Sequence, residues 1–502
     1  MRTRRGGACI VPHKKKNDMK RLWRAGWLVV VVFALGACAT VPDTGDGAMP
    51  RDQIRIATDS GWLSYQRSQA IVKGLEKAGP PSTHFEPGDM DAQTAGFLAR
   101  HLQVEEAISG SPLTAGNSVE LLADGPSTYR EMLAAIRGAR QYVHMESYIF
   151  DADEAGQRFS DALIAKRREG VPVALMVDGV GTLSTPKAFF DRMRDAGVQV
   201  VVFNPINPVE ARAGWSPNNR DHRKLLVVDG KTGFLGGINI SGVYESSPSS
   251  GSSASILRGS SADADNAPDP KEAPWRDTQI RVQGPAVAEI ERVMQAGWES
   301  QHGPPLDPRE FYPRADRQGD LLVRIIANRP GDRDGYTLYL TFMSAIQSAQ
   351  RSIHITMAYF VPDPAFVRAL ADAARRNVDV AMVLPGFSDS SLVFHAGRSY
   401  YSELLEAGVK IYERRDAFLH AKTAVIDGVW STVGSSNLDW RSFALNYELN
   451  AVIIGPRFGR QMEGLFADDV AHAQRIEPDA WKDRGIRDRF MESISRMFER
   501  WL

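Results

Sequence analysis

Cysteine is nearly absent from this chain, with two in 502 residues. That count excludes a disulfide scaffold and a zinc site of the multi-cysteine kind. Charge of one sign is lacking too: 60 Lys and Arg stand against 61 Asp and Glu, for a net charge of −1. A generic nucleic-acid coat needs a basic surface, which this balance does not supply. No apolar run reaches the ~20 residues that span a bilayer as a permanent helix. What is there is ordinary for a folded body, 43% hydrophobic and 24% charged. At ~100–200 residues per domain, the length predicts three domains or a pair of large ones.

The N-terminus reads as an address. Arg21 and Arg24 precede an apolar run, Trp27 to Leu35, which leads into Leu35-Gly36-Ala37-Cys38. A basic flank, a short apolar core and small residues before a cut are the grammar of an export signal. Ending that grammar on cysteine resembles a bacterial lipobox, which implies cleavage before Cys38 and acylation of its thiol and new amine. A short anchor helix with an incidental cysteine is the bland alternative. Met19 makes a more compact start than Met1. Ala39 and Thr40 follow the cysteine, and the lack of an Asp there points to the outer membrane, with the protein facing the periplasm. A tether from Ala39 to Arg51 gives way to a helical arm, where Ala70, Ile71, Leu75, Leu98, Leu102 and Ile108 recur at helix-like intervals. The arm carries no chemistry.

From about Val119 short β-rich runs alternate with amphipathic helices, which predicts an α/β layered fold. The same order of elements then occurs twice. Val171-Pro172-Val173-Ala174-Leu175-Met176-Val177 has its counterpart in Val378 to Leu384, and Ala196-Gly197-Val198 in Ala407-Gly408-Val409. The period is near 200 residues, too long for a solenoid, so the repeat is a duplicated domain.

A further matched pair carries chemistry. One half reads His222-Arg223-Lys224, then Asp229, then Gly236-Gly237-Ile238-Asn239. The other reads His420-Ala421-Lys422, then Asp427, then Gly434-Ser435-Ser436-Asn437. Both fit HxKxxxxD followed by Gly-x-x-Asn. Strand alternation puts the His and Lys of each motif on one face, aiming an imidazole and an ammonium at one point. Two such strands facing each other supply two imidazoles, two ammoniums and two carboxamides around one anion. Asp229 and Asp427 fall on the opposite strand face, where bracing the motif is the better reading than direct catalysis.

The doubled motif resembles the phospholipase D superfamily, and most closely bacterial cardiolipin synthases of the C type and related exported phospholipase D-like proteins. Trp275-Arg276-Asp277-Thr278 and Asn446-Tyr447-Glu448 look like the segments that follow the two motifs in those enzymes. The resemblance covers roughly Leu113 to the C-terminus. It implies two tandem αβα-sandwich domains related by a pseudo-twofold, with the active site at their interface. The expected organisation is a signal peptide (1–38), the tether and arm (39–112), a first domain (113–315) and a second (316–502). In the first half Gly237 stands where the second has Ser435, so one hydroxyl is missing.

Neutral imidazole is a nucleophile near pH 7 and imidazolium is an acid in the same range. One histidine can attack phosphorus to give a phosphohistidine while the other protonates the departing alcohol; the second then deprotonates an incoming alcohol or water. By resemblance His222 is the nucleophile and His420 the acid. Lys224, Lys422, Asn239, Asn437 and Ser435 are the expected phosphate ligands, and Asp229 and Asp427 complete the catalytic motifs. The resemblance implies no metal or other cofactor and a monomer whose halves form an intrachain pseudo-dimer, while the charge balance and the tether argue against a nucleic-acid partner. Its substrates are phospholipids: phosphatidylglycerol, with phosphatidylethanolamine a candidate second lipid. Transfer to make cardiolipin is the favoured outcome. Hydrolysis to phosphatidic acid, a nuclease and an inactive scaffold lipoprotein are the alternatives.

Spacing between the halves exposes one more pair. Glu448 lies 28 residues after His420, whereas Asp277 lies 55 after His222. The excess falls in a stretch rich in Ser, Ala, Asp and Pro, about 246–272, which has too few apolar residues to offset its ordering entropy and reads as a disordered insertion. Without it Asp277 and Glu448 are equivalent. A carboxylate there can accept from the imidazole's second nitrogen and orient the ring; pairing of Asp277 with Arg276 is the alternative. Other features read more blandly. Arg212, Arg220 and Arg223 either grip lipid phosphates or are solvated loop charge. Tyr148-Ile149-Phe150 and Tyr359-Phe360 are core or groove lining, and Pro385 to Ser391 is a loop at a strand end, where α/β sites gather contacts. His144 and His354 match between halves without a lysine two residues on and are structural.

Overall fold

A computed structural model describes residues 92–207, 209, 215–246, 273–306, 316–330 and 336–499. They lie within one compact unit, Ile56–Arg500. Cys38, Ala70, Ile71, Leu75, Arg212 and the insertion beyond Ser246 lie outside the described residues.

The alternation seen in the sequence is realised as two matching sets of strands. The first half contributes β1 (Leu113–Leu122), β2 (Val143–Ser147), β3 (Val173–Asp178), β4 (Gln199–Phe203), β5 (Arg220–Asp221), β6 (Leu225–Val228), β7 (Thr232–Gly236), β8 (Trp275–Arg276) and β9 (Gln279–Gln283). The second contributes β10 (Leu321–Asn328), β11 (Ser352–Met357), β12 (Phe360–Val361), β13 (Asp379–Pro385), β14 (Lys410–Arg414), β15 (Phe418–Leu419), β16 (Lys422–Ile426), β17 (Trp430–Gly434), β18 (Leu438–Asp439), β19 (Asn446–Ile454) and β20 (Ala473–Arg475). The main sheet runs β20-β14-β13-β11-β16-β17-β19-β10-β1-β9-β7-β6-β2-β3-β4. Inward from β14 and from β4 the order reads alike, with β20 an added edge strand, and the antiparallel pair β1–β10, with Leu113 opposite Arg324, joins the halves. The two domains therefore share one continuous sheet.

Helices cover both faces. On one, the shared core runs across the join: Leu225, Leu235, Ile280 and Val282 pack in one cluster with Val323, Ile325, Val433 and Leu449. Helices Ala286–Ser300 and Pro456–Ala471 close that face, through Ile290 and Met462 among others. His144 and His354 face these helices, each with Nδ1 2.6 Å from a carboxylate, Glu291 and Glu463. They are ring-locked structural residues, as their missing lysine partners implied.

The arm reaches further than its sequence indicated. Helix Ala92–Ser109 packs Phe97, Leu98 and Leu102 against Tyr339, Phe342 and Met343 of the second half, not of the first half that follows it. Glu105, fully buried, accepts from Trp430 Nε1 at 3.1 Å and pairs with Arg324 at 3.1 Å.

The motif aspartates occupy the hairpins β6–β7 and β16–β17. Asp229 (φ 54°) and Gly230 (φ 60°) are left-handed, as are Asp427 (φ 52°) and Gly428 (φ 69°). Aspartate and glycine tolerate that conformation better than other residues. The Asp229 carboxylate accepts from the backbone N–H groups of Arg140, Gln141 and Tyr142 at 2.7–3.1 Å. Asp427 does the same for Gln350, Arg351 and Ser352. Each closes a helix-to-strand junction whose donors have no helical partner, which is why alternation turned them away from the histidines. Asp229→Ala and Asp427→Ala should each lower unfolding free energy by about 2–3 kcal/mol in a urea titration. The folded fraction should keep a rate within threefold of native; a large rate loss at unchanged stability would return these residues to the chemistry.

Candidate active site

The histidines sit just before the core strands rather than on them. His222 lies between β5 and β6, and His420 between β15 and β16. The reason is a pairing between halves. β5 pairs in parallel with β19, and β15 pairs in parallel with β8, so the strand that leads into each motif is paired with a strand of the other half. The His222 N–H donates to the Tyr447 carbonyl at 2.9 Å, and the His420 N–H to the Arg276 carbonyl at 2.8 Å. The next residues along those strands are Glu448 and Asp277.

The carboxylates are therefore crossed. His222 Nδ1 lies 3.1 Å from both oxygens of Glu448, and His420 Nδ1 lies 2.7 Å from Asp277 Oδ2. Both carboxylates are fully buried, while the His222 and His420 side chains are 12% and 8% exposed. With Nδ1–H donating to a carboxylate, Nε2 of each ring is left for the substrate. Arg276, the alternative partner for Asp277, instead grips Asp469 at 2.8 and 2.9 Å.

The missing hydroxyl also has an explanation. Ser435 Oγ donates to Glu448 Oε2 at 2.5 Å and accepts from the Leu449 N–H at 2.9 Å. A Cβ on Gly237 would lie 2.2 Å from Asp277 Oδ1. Serine with glutamate in one half thus answers to glycine with aspartate in the other. The hydroxyl of Ser435 is spent on the orienting carboxylate, not on phosphate. Asn239 is committed as well: its Nδ2 donates to the Tyr244 hydroxyl and its Oδ1 accepts from the Ile149 N–H, both at 3.0 Å. Asn437 keeps its carboxamide oxygen, which is buried with no partner among the described residues.

Lys224 Nζ donates to the His222 carbonyl at 2.6 Å, and Lys422 Nζ likewise to that of His420. Arg220 and Arg223 are neither phosphate grips nor loop charge. Both are buried, Arg220 3.5 Å from Asp178 and Arg223 3.1 Å from Glu146 and 2.8 Å from Asp221. Alternation explains Arg223, which is adjacent to His222 and points away from it. Tyr148 stands edge-on to His222 at 4.9 Å and Tyr359 to His420 at 6.3 Å, while Phe150 and Phe360 are core. Tyr244 was not singled out from the sequence, yet its hydroxyl lies 3.2 Å from His420 Nδ1. Its only signal is a position five residues past Asn239, where the second half has Ser442 past Asn437. Among the described residues no three His, Cys, Asp or Glu side chains converge as a metal site requires.

A family model described as cardiolipin synthase, phospholipase D-like domain, matches residues 132–244 and 342–470. A cardiolipin synthase of Alkalihalophilus pseudofirmus is 35% identical over 390 residues, covering 77% of this chain and 73% of that one. The chain belongs to the cardiolipin synthase family. A probable cardiolipin synthase of Bacillus subtilis is 33% identical over 76% of this chain and 72% of its own. The phosphatidylserine synthase of Haemophilus influenzae shares the fold, at a TM-score of 0.55 and 15% identity over 80% of this chain and 98% of that one.

The family's doubled motif here makes a pocket of competing charges. Burial pushes His222 down, with the charges of Lys224 and Lys422 adding to it and Glu448 opposing. Burial and Lys422 push His420 down to about 3 against Asp277. Burial lowers Lys224 to about 7 and Lys422 to about 8. Burial alone would raise Glu448, but His222, Lys224 and the Ser435 hydrogen bond outweigh it and hold it low. A phosphodiester anion would cancel lysine repulsion and raise all four cationic groups, so its binding takes up protons. Dimethyl phosphate keeps a single charge throughout, so its affinity should fall as pH rises from 6 to 9, most steeply above about 7–8, where the free lysines lose their protons. NMR titration of the ligand reads this; an affinity flat in pH would contradict the electrostatics.

Proposed function

We propose that this protein is a phosphatidyltransferase that makes cardiolipin from phosphatidylglycerol and a second phospholipid through a phosphohistidine intermediate. The observation that carries the reading is the crossed pair of histidine–carboxylate hydrogen bonds, which leaves two Nε2 atoms free beside two lysines. The sequence likeness to cardiolipin synthases supports the choice of lipid.

His222 Nε2 attacks phosphorus while the protonated His420 gives its proton to the departing alkoxide. In the second step an incoming alcohol loses its proton to His420, its oxygen bonds phosphorus, and the P–N bond breaks with its electron pair returning to His222. Glu448 and Asp277 fix the tautomers and stabilise the imidazolium forms. Lys224, Lys422 and the Asn437 amide N–H group donate to the non-bridging oxygens. The same reading keeps the protein in the cell envelope, held to a membrane by a lipidated Cys38. The basic flank and apolar run before that cysteine support this part.

Incubation with labelled phosphatidylglycerol should yield cardiolipin, and His222→Ala and His420→Ala should each reduce it at least ~1,000-fold. Phosphatidic acid as the sole product would make the protein a hydrolase. Either mutant within tenfold of native would end the two-histidine mechanism.

A further inference from the structure

The near-symmetric site has one unequal rim. Each half sends a loop from the end of its third core strand toward its histidine. Three residues past the glycine that opens each loop, Gly179 or Gly386, the first half has Thr182 and the second has Asp389. Thr182 is buried, its hydroxyl donating to the Asp178 carbonyl at 2.6 Å, and that loop exposes Val180 and Leu183 instead. Asp389 is exposed and accepts from the Tyr359 hydroxyl at 2.7 Å and from Ser388 Oγ at 3.2 Å. The Tyr359 ring stands 6.3 Å from His420, and the charge of Asp389 is felt at Lys422. A recess lined by Tyr359, Phe360, Leu384, Pro385, Ser388 and Phe394 adjoins it.

A carboxylate at the rim of an anion site weakens anion binding by like-charge repulsion. Bracing by Tyr359 and Ser388 holds it there nonetheless, with lone pairs left over and facing solvent. The ligand chemistry that answers it is a neutral donor, and the alcohol partner of the transfer is one. His420 serves the leaving alcohol as acid and the incoming alcohol as base, so both alcohols pass through the same place, on the His420 side. We propose that Asp389, positioned by Tyr359 and Ser388, is the alcohol subsite, taking the non-reacting hydroxyls of a polyol headgroup such as glycerol. The proposal rests on the phosphatidyl-transfer reading above. As the reacting hydroxyl gives its proton to His420 Nε2 and bonds phosphorus, with the P–N bond to His222 breaking, a neighbouring hydroxyl donates to Asp389. The second half thereby selects the alcohol, a task the first half, with Thr182 turned inward, cannot share.

Glycerol and ethanol separate the two roles, because ethanol has only the reacting hydroxyl. The full-length protein, given phosphatidylglycerol with equimolar deuterated glycerol and ethanol, should form more phosphatidyl-glycerol than phosphatidyl-ethanol. Asp389→Asn and Asp389→Ala should lower that product ratio roughly tenfold, the scale of a charge-assisted hydrogen bond. Phosphatidyl-ethanol from the same sample reports that the mutant site is folded. A ratio unchanged in both mutants, or no glycerol preference in the native protein, would overturn the subsite. Absence of either product from the native protein is a different result, which overturns the transferase reading and the subsite with it.

Discussion

A buried imidazole keeps one orientation only if its second nitrogen has a partner, and for the two motif histidines that partner comes from the other half. Glu448 reaches His222, and Asp277 reaches His420. The crossing follows from two short parallel pairings, β5 with β19 and β8 with β15. Neither half alone contains an oriented motif histidine. Burying carboxylates, lysines and imidazoles together is costly unless each has its partner, so the site and the join between halves depend on one another. The continuous sheet through β1 and β10 and the shared core around Val323 and Ile280 hold the register that this crossing needs.

The duplication tolerates substitution where the substitutions compensate. Ser435 with Glu448 fills the space that Gly237 leaves for Asp277. The result is two orienting pairs of different reach: a symmetric contact of 3.1 Å to each Glu448 oxygen at His222, and a tighter 2.7 Å bond at His420, which also has Tyr244 and Trp275 close by. Burial and the two lysines oppose protonation at both rings, and at His420 they prevail over the tighter Asp277 bond, so an acid role there depends on the charge of a bound phosphate to raise the imidazole.

Much of this was legible in the residues. The doubled His-x-Lys spacing, the 27-residue excess in the first half and the equivalence of Asp277 with Glu448 located the chemistry and its orienting groups. Period-two alternation also turned Asp229 and Asp427 away from it. What alternation could not reveal is which half each carboxylate serves, because pairing between the halves is a tertiary matter. Nor could it say that Ser435 and Asn239 spend their polar atoms on neighbours, or that helix Ala92–Ser109 packs on the second half. Arg220 and Arg223 looked like surface charge because their partners, Asp178 and Glu146, are remote in the chain.

The crossing itself is open to direct observation. With nitrogen-15 label in the histidine rings, the Nδ1 protons of His222 and His420 are each observed and assigned by single His→Gln substitutions. The account predicts that Asp277→Asn moves the His420 resonance and leaves His222 in place, while Glu448→Gln does the reverse. If Asp277→Asn moves His222 instead, each half orients its own histidine and the crossed site is wrong.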